Sequence, residues 1–205
     1  MRIDSRLLFL LYVSVMLVIT FLQQEFVLLP GLQNIDIIGE ESKMLLLERY
    51  QKQRWVAFCL VPVLLLLRLL LVSLCLFLGG FFFEGMRGKS FGEWWRVAMI
   101  AQLVMLLYGV ILCGVNIVFG PDKSLEFTQC TSLCFLGGND IEAWVRIPLA
   151  AVNIFEILYW IMMSLCVGKL CGTKYGISFK FVMFSYGTGY LFYITLIMFL
   201  MLYLT

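Results

Sequence analysis

Five long stretches of the chain are almost unbroken apolar sequence, and most polar residues fall in the segments between them. The stretches lie at about 7–29, 55–83, 97–120, 147–168 and 181–204. Each reaches the ~20 residues an α-helix needs to cross a hydrocarbon core about 30 Å thick. In that environment the backbone must satisfy its own hydrogen bonds, which helices do and open sheets do not. The pattern predicts an all-α polytopic membrane protein, a bundle of five transmembrane helices forming a single transmembrane domain over residues 1–205. The second stretch is longer than one crossing requires, so a tilt is expected, or an end near Gly79 and Gly80 with "FFF" at the interface.

The connecting segments set the orientation. With the N-terminus in the cytoplasm, segments 1–6, 84–96 and 169–180 hold Arg2, Arg6, Arg87, Lys89, Arg96, Lys169, Lys174 and Lys180. The outer segments, 30–54 and 121–146, are longer yet hold fewer: Lys43, Arg49, Lys52, Arg54, Lys123 and Arg146. Cations concentrate in cytoplasmic loops, so the N-terminus is expected inside and the C-terminus outside. "MRIDSR" before an apolar run resembles a secretory signal, but the exit "FLQQEFVLLP" has no small-residue cleavage pattern, and an uncleaved anchor is expected. The outer segment 42–54, "SKMLLLERYQKQR", reads either as an interfacial helix capped by Ser42 or as a simple extension of the second span.

Composition narrows the chemistry. At 62% hydrophobic and 14% charged residues the chain lies far from the soluble average, and a net charge of +2 gives no reason to expect nucleic acid. There is no histidine, which removes the commonest zinc and haem ligand and every serine–histidine or cysteine–histidine dyad. Neither a cofactor nor a metal is expected. Of seven cysteines, an odd number, Cys59, Cys75, Cys113 and Cys166 sit in apolar runs as small hydrophobes.

Two charges interrupt the spans themselves. Arg68 lies in "PVLLLLRLLLV" and Glu156 in "NIFEILYW", and each costs roughly 2.5–3.5 kcal/mol on insertion scales. Counted from Arg54 and Arg146 at ~1.5 Å per residue, their depths differ by about 6 Å, within the reach of an arginine. The sequence therefore suggests an ion pair between the second and fourth spans, supplemented by Asn153, three residues before Glu156. Three readings remain open: a pair that fixes how helices dock, a proton or substrate site built on Arg68, Asn153 and Glu156, or no pair. Trp160, Ser164, Asn116 and Gln102 extend a polar seam that more often glues helices than conducts.

Other motifs are weaker. "SYGTGY" (185–190) has the glycine content of a cation filter, but it lies inside a continuous span, and Gly187 and Gly189 are expected to allow close packing or a kink. "CTSLC" places Cys130 and Cys134 in an outer loop, where a structural disulfide, a thiol-redox pair or two free thiols are all open. "FGEWWRV" (91–97), with Glu93 and Arg96, has the composition of an interfacial aromatic belt, a partner patch being the alternative. "KLCGTKYGISFK" supplies a basic loop suited to anionic headgroups.

Five spans with little outside them, "FGEWWRV" entering the third, "NIFEILYW" in the fourth and "SYGTGY" opening the fifth resemble the Yip superfamily of Ypt-interacting membrane proteins, in its bacterial form, over about residues 55–204. The resemblance implies a helical membrane domain without enzyme activity that serves as a scaffold or adaptor in transport or trafficking assemblies. The chain departs from eukaryotic members in having only six residues ahead of its first span, which argues against direct binding of a small GTPase. The expected partners are the lipid bilayer and other membrane subunits, and the expected location is a bacterial inner membrane. The alternatives are a small transporter or permease subunit with its site at Arg68, Asn153 and Glu156, or a thiol oxidoreductase using Cys130 and Cys134. No inverted repeat points to the transporter.

Overall fold

A computed structural model of the chain describes residues 5–30, 40–137 and 143–204. Arg2 and the side chain of Ser42 lie outside the described residues. The described residues are mostly helical: α1 (Ser5–Gln23), continued by a π-helical turn at Gln24–Leu28; α2 (Glu40–Gly80); α3 (Phe91–Phe119); α4 (Pro121–Thr131); α5 (Ala143–Ala151); α6 (Ile154–Cys171); α7 (Tyr175–Val182), continued by a second π turn at Met183–Gly187; and α8 (Thr188–Leu204). Among the described residues, five helical stretches are long and apolar enough to cross a membrane: Ser5–Leu28, Met44–Gly80, Phe91–Phe119, Ile154–Cys171 and Tyr175–Tyr203. The protein is an all-α, multi-pass membrane protein.

Helix α2 runs 41 residues without interruption, about 60 Å at the usual rise and twice a hydrocarbon core. The charged segment 42–54 is thus continuous with the second span, and the helix begins at Glu40, ahead of Ser42. Its exposed polar face is laced by a Lys52–Glu48 pair at 2.7 Å, one turn apart. The fourth apolar run behaves differently. Instead of one helix from about 147, the chain forms α5, stops at Val152 and Asn153, and starts again as α6 at Ile154.

Sharp helix ends have local causes. Gly120 (φ 87°) follows α3 and donates to the Asn116 carbonyl at 3.0 Å. Gly172 (φ 66°) ends α6 in the left-handed region, where glycine has no Cβ to clash, and Thr173 N–H closes the motif on the Gly168 carbonyl at 3.1 Å.

The chain packs as two compact units, residues 1–68 with 106–124, and residues 69–105 with 125–205. In the first, Tyr12 and Ile19, seven residues apart on α1, are buried, and Cys113 of α3 faces the Ile19 carbonyl. At its polar end Arg54 pairs with Glu25, lies 5.6 Å over the Phe21 ring, and is flanked by a Tyr50 hydroxyl donating to the Gln24 carbonyl at 3.2 Å. The second unit holds the larger core, with Leu69, Leu76, Trp94, Met99, Tyr159, Met163 and Phe181 all but sealed from solvent.

Candidate functional site

The second unit is organised around the break between α5 and α6. A helix start leaves backbone N–H groups without intrahelical partners, a debt that hydrocarbon makes costly. Asn153 is the N-cap: extended in backbone, it accepts the Glu156 N–H on Oδ1 at 2.9 Å. Leu133 N–H donates to the Val152 carbonyl at 3.0 Å, and Ser132 pairs with Asn153 as an isolated antiparallel bridge, so the residues just after α4 hold the break from one side.

Glu156 stands in the first turn of α6, where the positive end of the helix dipole favours a carboxylate. It is only 4% exposed. Its Oε1 accepts two neutral donors, Trp160 Nε1 at 2.9 Å and the Tyr186 hydroxyl at 2.8 Å. A capping box would turn this side chain back to its own N-cap; here the N-cap half of the box is formed, and the carboxylate turns to the two aromatic side chains. Asn153 therefore serves the backbone of the helix start and does not lie beside Glu156 on a helix face.

The other side of the break is held by the same helix that reaches Glu156. Tyr190, four residues after Tyr186, donates to the carbonyl of Ala151, the last residue of α5, at 2.7 Å. The Trp160 ring meets both Tyr186 and Tyr190 edge to face, at 6.2 Å and 6.0 Å. Tyr159 meets Tyr186 at 5.6 Å in the same manner. Tyr186 sits inside the π turn Met183–Gly187, a local widening of the helix.

The remaining sequence candidates lie elsewhere. Arg68 is half-buried on α2 and is the last residue of the first unit's α2 segment, whereas Glu156 belongs to the second unit. Ser164 donates to the Trp160 carbonyl at 2.7 Å. Gln102 is buried in the second unit with its Oε1 unpaired, and Asn116 is half-buried in the first. A Cβ placed on Gly189 would come within 2.8 Å of Cys75 Sγ, so α8 and α2 approach closely there; at Gly187 the nearest atoms are 3.9 Å away. The tightest glycine approach is at Gly79, where a Cβ would stand 2.3 Å from the Ser185 Cβ.

Cys130 is exposed and Cys134 is buried, its thiol donating to the Arg146 carbonyl at 3.2 Å. Among the described residues, no three cysteine, aspartate or glutamate side chains gather as a metal site would require. At the start of α3, Glu93 accepts from Ser90 N–H at 2.7 Å and Ser90 Oγ at 3.1 Å, so the charged residue of "FGEWWRV" closes a capping arrangement.

Sequence reasoning placed Glu156 in the fourth span but missed the two tyrosines that organise the site. The available signals were the N-x-x-E capping spacing of Asn153 and Glu156 and the tyrosines four apart around "GTG". Comparison with protein-family models, curated proteins and solved structures finds no match to this chain.

Proposed function

We propose that this multi-pass membrane protein is a non-enzymatic scaffold or accessory subunit of a larger membrane assembly, in which the Glu156 carboxylate locks a broken helix. The observation that supports this reading is that Glu156 is 4% exposed and accepts hydrogen bonds from two side chains of its own unit. A carboxylate held in this way organises packing and presents little surface to a substrate. In an 18-residue apolar stretch of each candidate span only 11% to 33% of the residues are buried within the chain, which leaves broad apolar faces for lipid and neighbouring subunits. The Yip-like resemblance leads to the same class and is the ground for expecting a bacterial inner membrane, while the loop charges favour an orientation with the N-terminus inside.

Purification in mild detergent with cross-linking and mass spectrometry tests this reading. Stoichiometric membrane subunits should accompany the chain, and Glu156→Gln should keep them. A chain recovered alone after cross-linking in intact membranes would sink the proposal.

One observation supports a second reading, a small transporter subunit centred on Asn153 and Glu156. Broken helices and π turns recur at membrane transport sites, and here both occur at one carboxylate. Water access to Glu156, together with loss of substrate flux in Glu156→Gln, would favour it over the scaffold.

A further inference from the structure

The end of the second unit opposite the helix break carries a charge pattern that neither reading uses. The loop 81–90 and the α6–α7 turn meet there: a Cβ on Gly85 would lie 3.7 Å from Thr173 Cγ2. The two segments that meet there, 84–96 and 169–180, carry six cations, Arg87, Lys89, Arg96, Lys169, Lys174 and Lys180, and two carboxylates, Glu84 and Glu93. Glu93 already serves Ser90 and, at 3.9 Å, Lys89. Lys169, Lys174 and Lys180 are exposed and form no ion pair among the described residues.

These three lysines stand on a stiff support. Gly168 lets α7 approach until a Cβ would be 3.2 Å from Ser178 Oγ, and Thr173 and Ser178 share a hydroxyl hydrogen bond of 2.8 Å across the turn. At the level of Lys180 lies an aromatic cluster in which the next residue, Phe181, stacks on Trp94 at 5.3 Å and meets Phe83 at 5.3 Å. Phe82 and Tyr175 remain exposed at its rim. Aromatic side chains favour the headgroup level, and lysines on long apolar stems extend their ammonium groups to that same level.

We propose that this face of the second unit binds anionic phospholipid headgroups, with Lys169, Lys174 and Lys180 contacting phosphate and the aromatic rim fixing its depth. Charge complementarity selects the partner, since anionic leaflets attract polybasic segments near their surface and zwitterionic lipids do not. The inference does not depend on the scaffold reading.

Native mass spectrometry of the full chain, exchanged with phosphatidylglycerol or phosphatidylcholine, tests it directly. Phosphatidylglycerol should be retained preferentially, and K169Q/K174Q/K180Q should reduce that preference about a hundredfold, the factor that follows from ~1 kcal/mol for each of three surface lysines. K169R/K174R/K180R should keep it, which separates charge loss from misfolding. Equal retention of the two lipids, or an unchanged preference in the glutamine variant, would overturn the proposal. Melting in detergent with inorganic phosphate alone supplies the other arm: stabilisation equal to that from phosphatidylglycerol would assign the site to free phosphate and also overturn the lipid assignment.

Discussion

The hydroxyl of Tyr186 donates to Glu156 Oε1 at 2.8 Å, tying the π turn before α8 to the first turn of α6. One turn later Tyr190 reaches the last carbonyl of α5, so a single helix face holds both sides of the break. The buried charge thereby becomes part of the way an interrupted helix is tolerated in an apolar setting.

Removing the Tyr186 hydroxyl should therefore destabilise the protein by about 2 kcal/mol, the range for a hydrogen bond to a charged group. Glu156→Gln should cost less than Glu156→Ala, because an amide oxygen still accepts from Trp160 and Tyr186. A double-mutant cycle of Glu156→Ala with Tyr186→Phe, read by chemical denaturation in detergent, should give a coupling energy of about 1–2 kcal/mol. Strict additivity would show that the two side chains do not act together.

The cap and the tyrosine latch make separable predictions. Asn153→Ala should cost about 1 kcal/mol, with Asn153→Asp or Asn153→Ser recovering most of it. Tyr190→Phe leaves the Ala151 carbonyl without its donor and should raise amide exchange around 149–156 about tenfold, leaving α1 unaffected. Exchange unchanged at the break, or raised evenly along the chain, would contradict the latch.

Three glycines rank by the space around them. Gly79→Ala meets the Ser185 side chain at 2.3 Å and should cost about 1–3 kcal/mol, with Gly189→Ala, 2.8 Å from Cys75 Sγ, next. Gly187→Ala has ordinary contacts at 3.9 Å and should be close to neutral. Melting temperatures of the three variants in one detergent check the order.

The cysteines of "CTSLC" should differ in reactivity. Exposed Cys130 should label with a maleimide in the folded protein, while Cys134, buried with its thiol on the Arg146 carbonyl, should label only after unfolding. If Cys130 labels only after reduction, the two sulfurs are joined and the thiol arrangement described above does not hold in the membrane.

The sequence by itself determined the all-α membrane class, because a hydrocarbon core accepts few structures and apolar runs of about twenty residues are a direct record of that constraint. It also singled out Glu156, since a carboxylate stands out against "IFEILYW" on composition alone. It could not show that the fourth run breaks at Asn153: hydropathy is blind to the direction of the chain, and Asn153 reads equally as a helix residue or a cap. Tyr186 and Tyr190 were illegible for a different reason. Their partners, Glu156 and Ala151, are 30 and 39 residues away. Only the packing of α8 against the broken segment brings those groups within hydrogen-bond distance. Span length follows from local composition, whereas the partners of a buried polar group depend on which helices become neighbours, and that was decided by the tertiary structure.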